Sequence, residues 1–168
     1  MVRDRKFLIG INDSEAAFRS VAYVAGMAGS RDECRIILLH VLPPIPPELL
    51  EFGGAEDPGT EHQMNEALKH EQAQWVEKAK KAAEPLLQHA RDILYRFEIP
   101  PQNITTRISQ IIHRPDIVRE LVECAHEHDC GTIVVGRETY SSFQEMFHRH
   151  VGEELARHAV GYAIWVIA

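Results

Sequence analysis

The chain has 168 residues, of which 45% are hydrophobic and 26% are charged, with a formal net charge of -7. This composition predicts a single globular domain over residues 1–168 with a substantial core. The acidic balance and the lack of a long Lys/Arg run argue against nucleic-acid binding, and no stretch approaches the roughly 18 apolar residues of a membrane span.

Three scattered cysteines, Cys34, Cys124 and Cys130, favour reduced thiols over a disulfide framework. The N-terminal apolar run is too short for the core of a signal peptide, and no cleavage site follows it. Together these features predict a cytoplasmic protein.

The first half of the chain alternates between strand and helix patterns. The apolar run "KFLIGIN" at 6–12 predicts a strand, and Asp13 or Ser14 is placed to cap the helix that follows. A second strand is predicted at 35–41 from "RIILLHV", which is apolar almost throughout, as in a sheet covered on both faces. The segment 42–60 is rich in Pro and Gly and is predicted to be a loop within the domain.

The second half continues the alternation. Apolar residues three or four apart from Met64 to Phe97 predict one long helix over 61–97, in which Pro85 should produce a kink or a division. Strands follow at 103–109, 132–136 and 162–168. One helix is predicted to begin near Pro115, which would lie in its first turn, and another is predicted over about 143–158.

This order predicts a single-domain α/β fold, an open twisted sheet of five mostly parallel strands with helices on both faces. In such folds the ligand crevice lies at the carboxyl ends of the strands, where the strand order reverses. We therefore expect a crevice formed by residues 11–13, Val41 with the loop after it, and Gly136 with its loop.

Three segments carry a resemblance to a known family. "IGINDSEAA", "LLHVLPP" and "TIVVGRETYSSFQEMFHRHVGEELARHAVGYAIWVIA" resemble the universal stress protein family across essentially the whole chain. The last segment is the most specific, because the family usually ends with a strand, a glycine-rich loop, a helix ending in Arg-His-Ala, and a final strand. The resemblance implies a Rossmann-like fold similar to that of the adenine nucleotide alpha hydrolases.

The phosphate loop that the resemblance implies is degenerate here. In ATP-binding members, the loop after the fourth strand resembles the pattern Gly, two residues, Gly, nine residues, then Gly and Ser or Thr. Its glycines allow positive φ and a close approach of the backbone to the phosphates. In this chain only the first glycine of the pattern is present, as Gly136. Thr139 and Arg149 replace the second and third glycines, and His150 replaces the Ser or Thr. Asn12 occupies the position at the end of the first strand where the family usually has Asp. If nucleotide binding is retained, the resemblance implies this site: Ile11, Asn12, Asp13, Val41, Val135, Gly136, Thr139, Arg149, His150 and Val151.

Several polar groups allow a chemical and a structural interpretation. The "HRH" triplet at 148–150 is an anion or metal anchor, or else a solvated junction. "HEHDC" at 126–130 contains zinc-ligand chemistry without a second pair at metal spacing, so no metal site is predicted. Asp13 and Ser14, in the segment "NDSE" at 12–15, suggest nucleophilic or acid–base chemistry but are more simply an N-cap. No dinucleotide, P-loop or nucleophile-elbow motif occurs.

The sequence therefore predicts a non-enzymatic, homodimeric stress-response or regulatory protein with weak or absent ATP binding, no catalytic residues and no required cofactor. The alternative is an adenine-nucleotide binder, with ATP as ligand, whose basic loop substitutes for glycines; a slow nucleotide hydrolase ranks third. Protein partners are expected but not identified. The resemblance implies that the last strand forms the dimer contact, and an exposed apolar edge strand favours such pairing. The expected contact residues are Tyr162, Ala163, Ile164, Trp165, Val166 and Ile167.

Overall fold

A computed structural model describes residues 5–28, 33–50, 57–110, 116–137 and 151–168. Five strands form one sheet in the order β3-β2-β1-β4-β5, and every neighbouring pair is parallel. The predicted α/β fold is confirmed, and the sheet is parallel throughout. The strands are β1 (Lys6–Ile11), β2 (Arg35–Leu42), β3 (Ile104–Gln110), β4 (Thr132–Gly136) and β5 (Ala163–Ile167).

The core has two layers, one on each face of the sheet, because successive strand residues point to opposite faces. Ile9 and Val134 face α1 (Glu15–Ala28) and α2 (Pro58–Arg96). Leu8 and Ile133, one residue earlier in each strand, face α3 (Ile117–Glu127) and α4 (Val151–His158). This double burial explains why the central strands read as unbroken apolar runs rather than alternating ones.

The helix starts show local capping chemistry. Ser14, not Asp13, caps α1, since its Oγ accepts a hydrogen bond from the Ala17 N–H at 3.1 Å. The carboxylate of Asp116 accepts from the Arg119 N–H at 2.9 Å, so α3 begins at Ile117. Pro115 lies outside the described residues, as does the predicted helix over 143–150; α4 is described from Val151.

Helix α2 runs without a break for 39 residues and contains Pro85 in its interior. The predicted division at Pro85 is therefore wrong, while the predicted kink stays a prediction. Pro85 is solvent-exposed, so its ring lies on the side of the helix away from the core. Along the roughly 58 Å of this helix, the buried residues all lie from Ala83 onward: Ala83, Leu87, Ala90 and Leu94.

The predicted apolar face of α2 needs correction. Met64 and Phe97 are 44% and 43% exposed, and the deepest contacts are made by Leu87 and Leu94 instead of Leu86 and Ile93, which only border the core. Ala83 and Ala90 of the predicted face are buried as expected. The correction concerns Leu86 and Ile93, whose neighbours Leu87 and Leu94 are buried in their place.

The predicted loop over 42–60 is shorter than expected. Pro47–Leu49 form one turn of 3-10 helix, and α2 already begins at Pro58, where the carboxylate of Asp57 accepts from the Thr60 N–H at 3.0 Å. Residues 51–56 lie outside the described part of the chain. In the described ranges, no helix combines the length and the apolar character needed to cross a membrane.

Candidate functional site

A crevice opens at the carboxyl ends of the central strands, where β1 has β2 on one side and β4 on the other. Chain connections leave β1 and β4 in opposite directions across the sheet at this point, which is where open α/β folds bind ligands. The crevice has a volume of about 680 Å³. Its lining residues come from four strands, their carboxyl ends, α3 and α4: Gly10, Ile11, Asn12, Leu39, Val41, Ile117, Leu121, Val135, Gly136, Arg137, Val151, Gly152, Glu153, Ala156, Val166 and Ala168.

Six of the ten residues implied by the resemblance line this crevice: Ile11, Asn12, Val41, Val135, Gly136 and Val151. Asp13 is solvent-exposed and is not among the lining residues. Thr139, Arg149 and His150 lie outside the described residues, so their replacement of the family's glycines and hydroxyl stays a sequence observation.

Sequence reasoning missed the walls of the crevice. Ile117 and Leu121 reach it from α3, and Gly152 and Ala156 reach it from α4. Apolar residues at helical spacing signal burial but do not tell a cavity wall from ordinary core. Val166 was assigned to the dimer edge, yet it pairs in register with Val135 and lines the same crevice.

Asn12 presents an amide at the end of β1. Its Oδ1 accepts from the Ser14 hydroxyl at 2.6 Å, and that hydroxyl oxygen in turn accepts from the Ala17 N–H. Asn12 lines the crevice, and its amide Nδ2 is the hydrogen-bond donor of this side chain. Ser14 is thus occupied with capping and with orienting Asn12, which favours the structural interpretation of the "NDSE" segment over a nucleophile.

Gly136 packs tightly against the start of α1. A Cβ built at this position would lie 2.5 Å from the Ala16 carbonyl carbon and 2.6 Å from the Ala17 nitrogen. The backbone N–H of Arg137, next in the chain, donates to the Ile167 carbonyl at 2.6 Å. Glycine is therefore required here for helix–strand packing, and its presence is no evidence for a phosphate.

His40 lies beside the crevice near the end of β2. Its Nδ1 is 2.9 Å from the Ile11 carbonyl oxygen, and burial lowers the pKa of the imidazole, with the Ile11 hydrogen bond acting in the opposite direction. The neutral ring ties the carboxyl ends of β1 and β2 together.

Two residues of the "HEHDC" segment have structural contacts. The imidazole of His128 accepts from Arg107 Nε at 3.1 Å, and Cys130 is fully buried in the α3–α4 side of the core. Burial raises the pKa of the nearby Cys124 thiol to about 11, so this thiol stays protonated and unreactive at neutral pH. Across the described ranges, no three His, Cys, Asp or Glu side chains gather in a way that suits a metal ion.

β5 is an edge strand. Ala163 and Ile167 use their backbone groups toward β4, through Ala163 N–H to Gly131 and Arg137 N–H to the Ile167 carbonyl. By alternation, the backbone groups of Ile164 and Val166 point away from the sheet. Trp165 packs on Phe7, with ring centroids 5.4 Å apart, and edge-on against Tyr23 at 6.0 Å.

Comparison with known proteins agrees with this architecture. The sequence matches the profile of the Universal stress protein family over residues 4–160. No curated protein matches the sequence. Among solved structures, the chain is similar to the universal stress protein UspA from Lactobacillus plantarum, with 16% identity, a TM-score of 0.67, and 100% of both chains covered.

Two further similar structures were solved with nucleotides. One is a universal stress protein in complex with cAMP, with 16% identity, a TM-score of 0.59, and 99% of this chain and 98% of that one covered. The other is the universal stress protein from Archaeoglobus fulgidus in complex with dAMP, with 15% identity, a TM-score of 0.56, and 100% of both chains covered. At these identities the structural likeness shows the fold alone. The match to the family profile extends over nearly the whole sequence, and the chain therefore belongs to the universal stress protein family.

Proposed function

We propose that this chain is a non-enzymatic, homodimeric regulatory protein of the stress response that binds ATP weakly or not at all. One observation carries the proposal. In the described part of the chain, the two groups that would begin a phosphate cradle are already engaged: Gly136 packs on α1, and the Arg137 N–H pairs with Ile167. The lining of the crevice is mostly apolar, which suits binding better than polar catalysis.

The described lining supports the non-enzymatic part of the proposal. Phosphoryl transfer needs a positioned base or water-orienting group and usually Mg²⁺. Glu153 is the one carboxylate side chain among the described lining residues, and it is solvent-exposed on α4. A single exposed carboxylate supplies neither a metal site nor an activated base.

A second candidate function is adenine-nucleotide binding. It is favoured by the cAMP and dAMP complexes of two similar structures, and by the Asn12 amide donor and Val41 at the crevice. In this case the basic residues between positions 138 and 150 would replace backbone donors. The proposal ranks lower because only one described lining side chain, Arg137, is cationic.

The deciding experiment is calorimetric titration of the purified chain with ATP and Mg²⁺, together with mass spectrometry of nucleotide released by denaturation. We expect no co-purifying nucleotide and a dissociation constant in the millimolar range or no binding. Tight binding by the wild type would instead establish the second candidate. If the affinity rises steeply as the pH falls through about 6.5, a protonated histidine is the anchor.

A gain-of-binding variant tests the loop itself. Thr139→Gly, Arg149→Gly and His150→Ser together restore the family pattern, in which glycines allow close backbone approach and the hydroxyl adds a hydrogen bond of about 1 kcal/mol. We expect measurable ATP affinity in the triple variant that exceeds the sum of the single changes. Asn12→Asp is a fourth change if the acidic residue is needed. A triple variant that binds no better than the wild type would show that the loop is not the obstacle.

A further inference from the structure

The crevice has a floor that is apolar across four strands. Leu39 pairs in register with Gly10, and Val135 pairs in register with Val166, so these residues form one row on the α3–α4 face of the sheet. Gly10 contributes no side chain to the middle of this row. The side chains of Leu121 on α3 and Val135 on β4 cover Gly10 closely, since a Cβ at position 10 would lie 3.4 and 3.5 Å from their nearest atoms.

The walls are also apolar, and polar groups are few. Ile117 and Leu121 form the α3 side, while Val151 and Ala156 form the α4 side. The volume of about 680 Å³ falls within the range of about 300–1,000 Å³ that is typical of small-molecule sites with an apolar lining and a few orienting polar groups. Among the described lining side chains, those groups are the Asn12 amide, the Arg137 guanidinium and the Glu153 carboxylate.

The charges of these side chains discriminate between ligand classes. Among the described lining side chains, one is a cation, Arg137, and one is an anion, Glu153, within a chain of net charge -7. The several negative charges of a nucleoside triphosphate would meet a single described cation, an opposing carboxylate and mostly apolar walls. A ligand with one negative charge can pair with Arg137 and bury the rest of its surface against the floor.

We propose that the crevice binds a small apolar molecule that carries one anionic group, with the apolar body between α3 and α4 and the anion at Arg137. This inference rests on the proposed function, because it takes the crevice as the ligand site of a protein that does not use ATP. Asn12 Nδ2 supplies a second, neutral donor at the same end of the strands.

A matched pair of fluorescent dyes tests the proposal on the intact chain. 1-Anilinonaphthalene-8-sulfonate has an aromatic body and one sulfonate, and N-phenyl-1-naphthylamine has the same body without the charge. We expect saturable binding of the sulfonate at one dye per chain, about threefold tighter than the neutral dye, as suits one partly solvated ion pair. Equal affinity for the two dyes, or binding that does not saturate at one per chain, would overturn the proposal.

Variants locate the binding site. Ala156 is exposed on α4 yet lines the crevice, so Ala156→Trp should fill the space without disturbing the core and abolish binding of both dyes. Ala67→Trp, at an exposed position of α2 outside the crevice, should bind like the wild type. Arg137→Gln should remove the preference for the sulfonate, and Arg157→Gln, exposed on α4 but outside the lining, should keep it.

The outcomes separate this inference from the proposed function, since thermal melts verify that each variant is folded and ATP affinity is measured independently by calorimetry. Dye binding that Ala156→Trp leaves intact, with no ATP binding, would overturn the inference alone. Tight ATP binding without displacement of the dye would overturn the proposed function alone. Tight ATP binding that displaces the dye would overturn both.

Discussion

Gly136 and Gly10 lie in neighbouring parallel strands, yet a methyl group added to each would meet different surroundings. At position 136 it would overlap the backbone of Ala16 and Ala17, which cannot move without shifting α1. We predict that Gly136→Ala lowers the free energy of unfolding by about 1–3 kcal/mol or more, as overpacking does. Urea denaturation measures the change.

Gly10→Ala is the matched control, because its methyl would meet Leu121 and Val135 side chains at 3.4 and 3.5 Å, which is ordinary contact. We expect a loss well below that of Gly136→Ala. Equal losses at the two positions would contradict the packing role assigned to Gly136.

His40 makes the stability depend on pH. Burial lowers its pKa in the folded state below the ordinary value of 6.5. Above about pH 6.5 both states hold the neutral ring; as the pH falls, the unfolded state takes up the proton first, so the free energy of unfolding decreases until the pH reaches the lowered folded-state pKa. We predict that the free energy of unfolding decreases as the pH falls below about 6.5 and that His40→Gln weakens this decrease.

The same substitution at His128 gives a comparison. Partial burial lowers the pKa of His128, with Arg107 as the next cause, but the ring is less enclosed than that of His40. His128→Gln should therefore reduce the slope of stability against pH by less. Slopes that remain at the wild-type value in both variants would show that neither histidine is responsible.

At the scale of elements, α2 consists of a packed segment and a solvated one. Leu94 and Leu87 are 0% and 5% exposed against the sheet and α1, whereas no residue from Pro58 to Ala82 is buried. We predict that Leu94→Ala lowers the free energy of unfolding by about 2–5 kcal/mol, through lost apolar burial and the cavity left behind.

Leu68→Ala makes the same chemical change on the solvated segment, where Leu68 is only partly buried. We expect its cost to stay below about 1 kcal/mol, because most of the removed surface is already in contact with water or can collapse. Chemical denaturation of both variants decides the point; comparable losses would mean that the first part of α2 packs as firmly as the last.

For the whole molecule, the prediction concerns assembly through β5. The backbone groups of Ile164 and Val166 point outward from this edge, and Val166 is 45% exposed. Pairing with β5 of a second copy would give these backbone groups hydrogen-bond partners. We predict a homodimer in light scattering at micromolar concentration. Val166→Pro removes one outward N–H and should give a folded monomer, since proline is tolerated on edge strands.

Val160→Ser is the control, because Val160 is 88% exposed but lies in the turn before β5. In light scattering, this variant should form a dimer as the wild type does. A monomeric wild type, or a Val166→Pro variant that stays dimeric while folded, would exclude β5 as the interface.

Local patterns were sufficient for the strands and for one rim of the crevice. The run "TIVVG" predicted β4 at its observed bounds, and the ends of the first two strands located Ile11, Asn12 and Val41. This works because an apolar run bounded by polar or turn residues marks both the element and its carboxyl end, and parallel strands bring those ends to one edge.

Only the tertiary structure decided the walls of the crevice and the role of Gly136. Leu121 and Ala156 are ordinary helical residues until strand order and register place α3 and α4 over the Gly10–Val135 row. Likewise, the need for glycine at 136 comes from the backbone of Ala16, which is distant in sequence. The periodicity of the sequence indicates which residues lie on the apolar face of a helix. How that face is turned toward the sheet depends on contacts with residues distant in sequence. Those contacts determine whether a residue fills the core or borders a cavity.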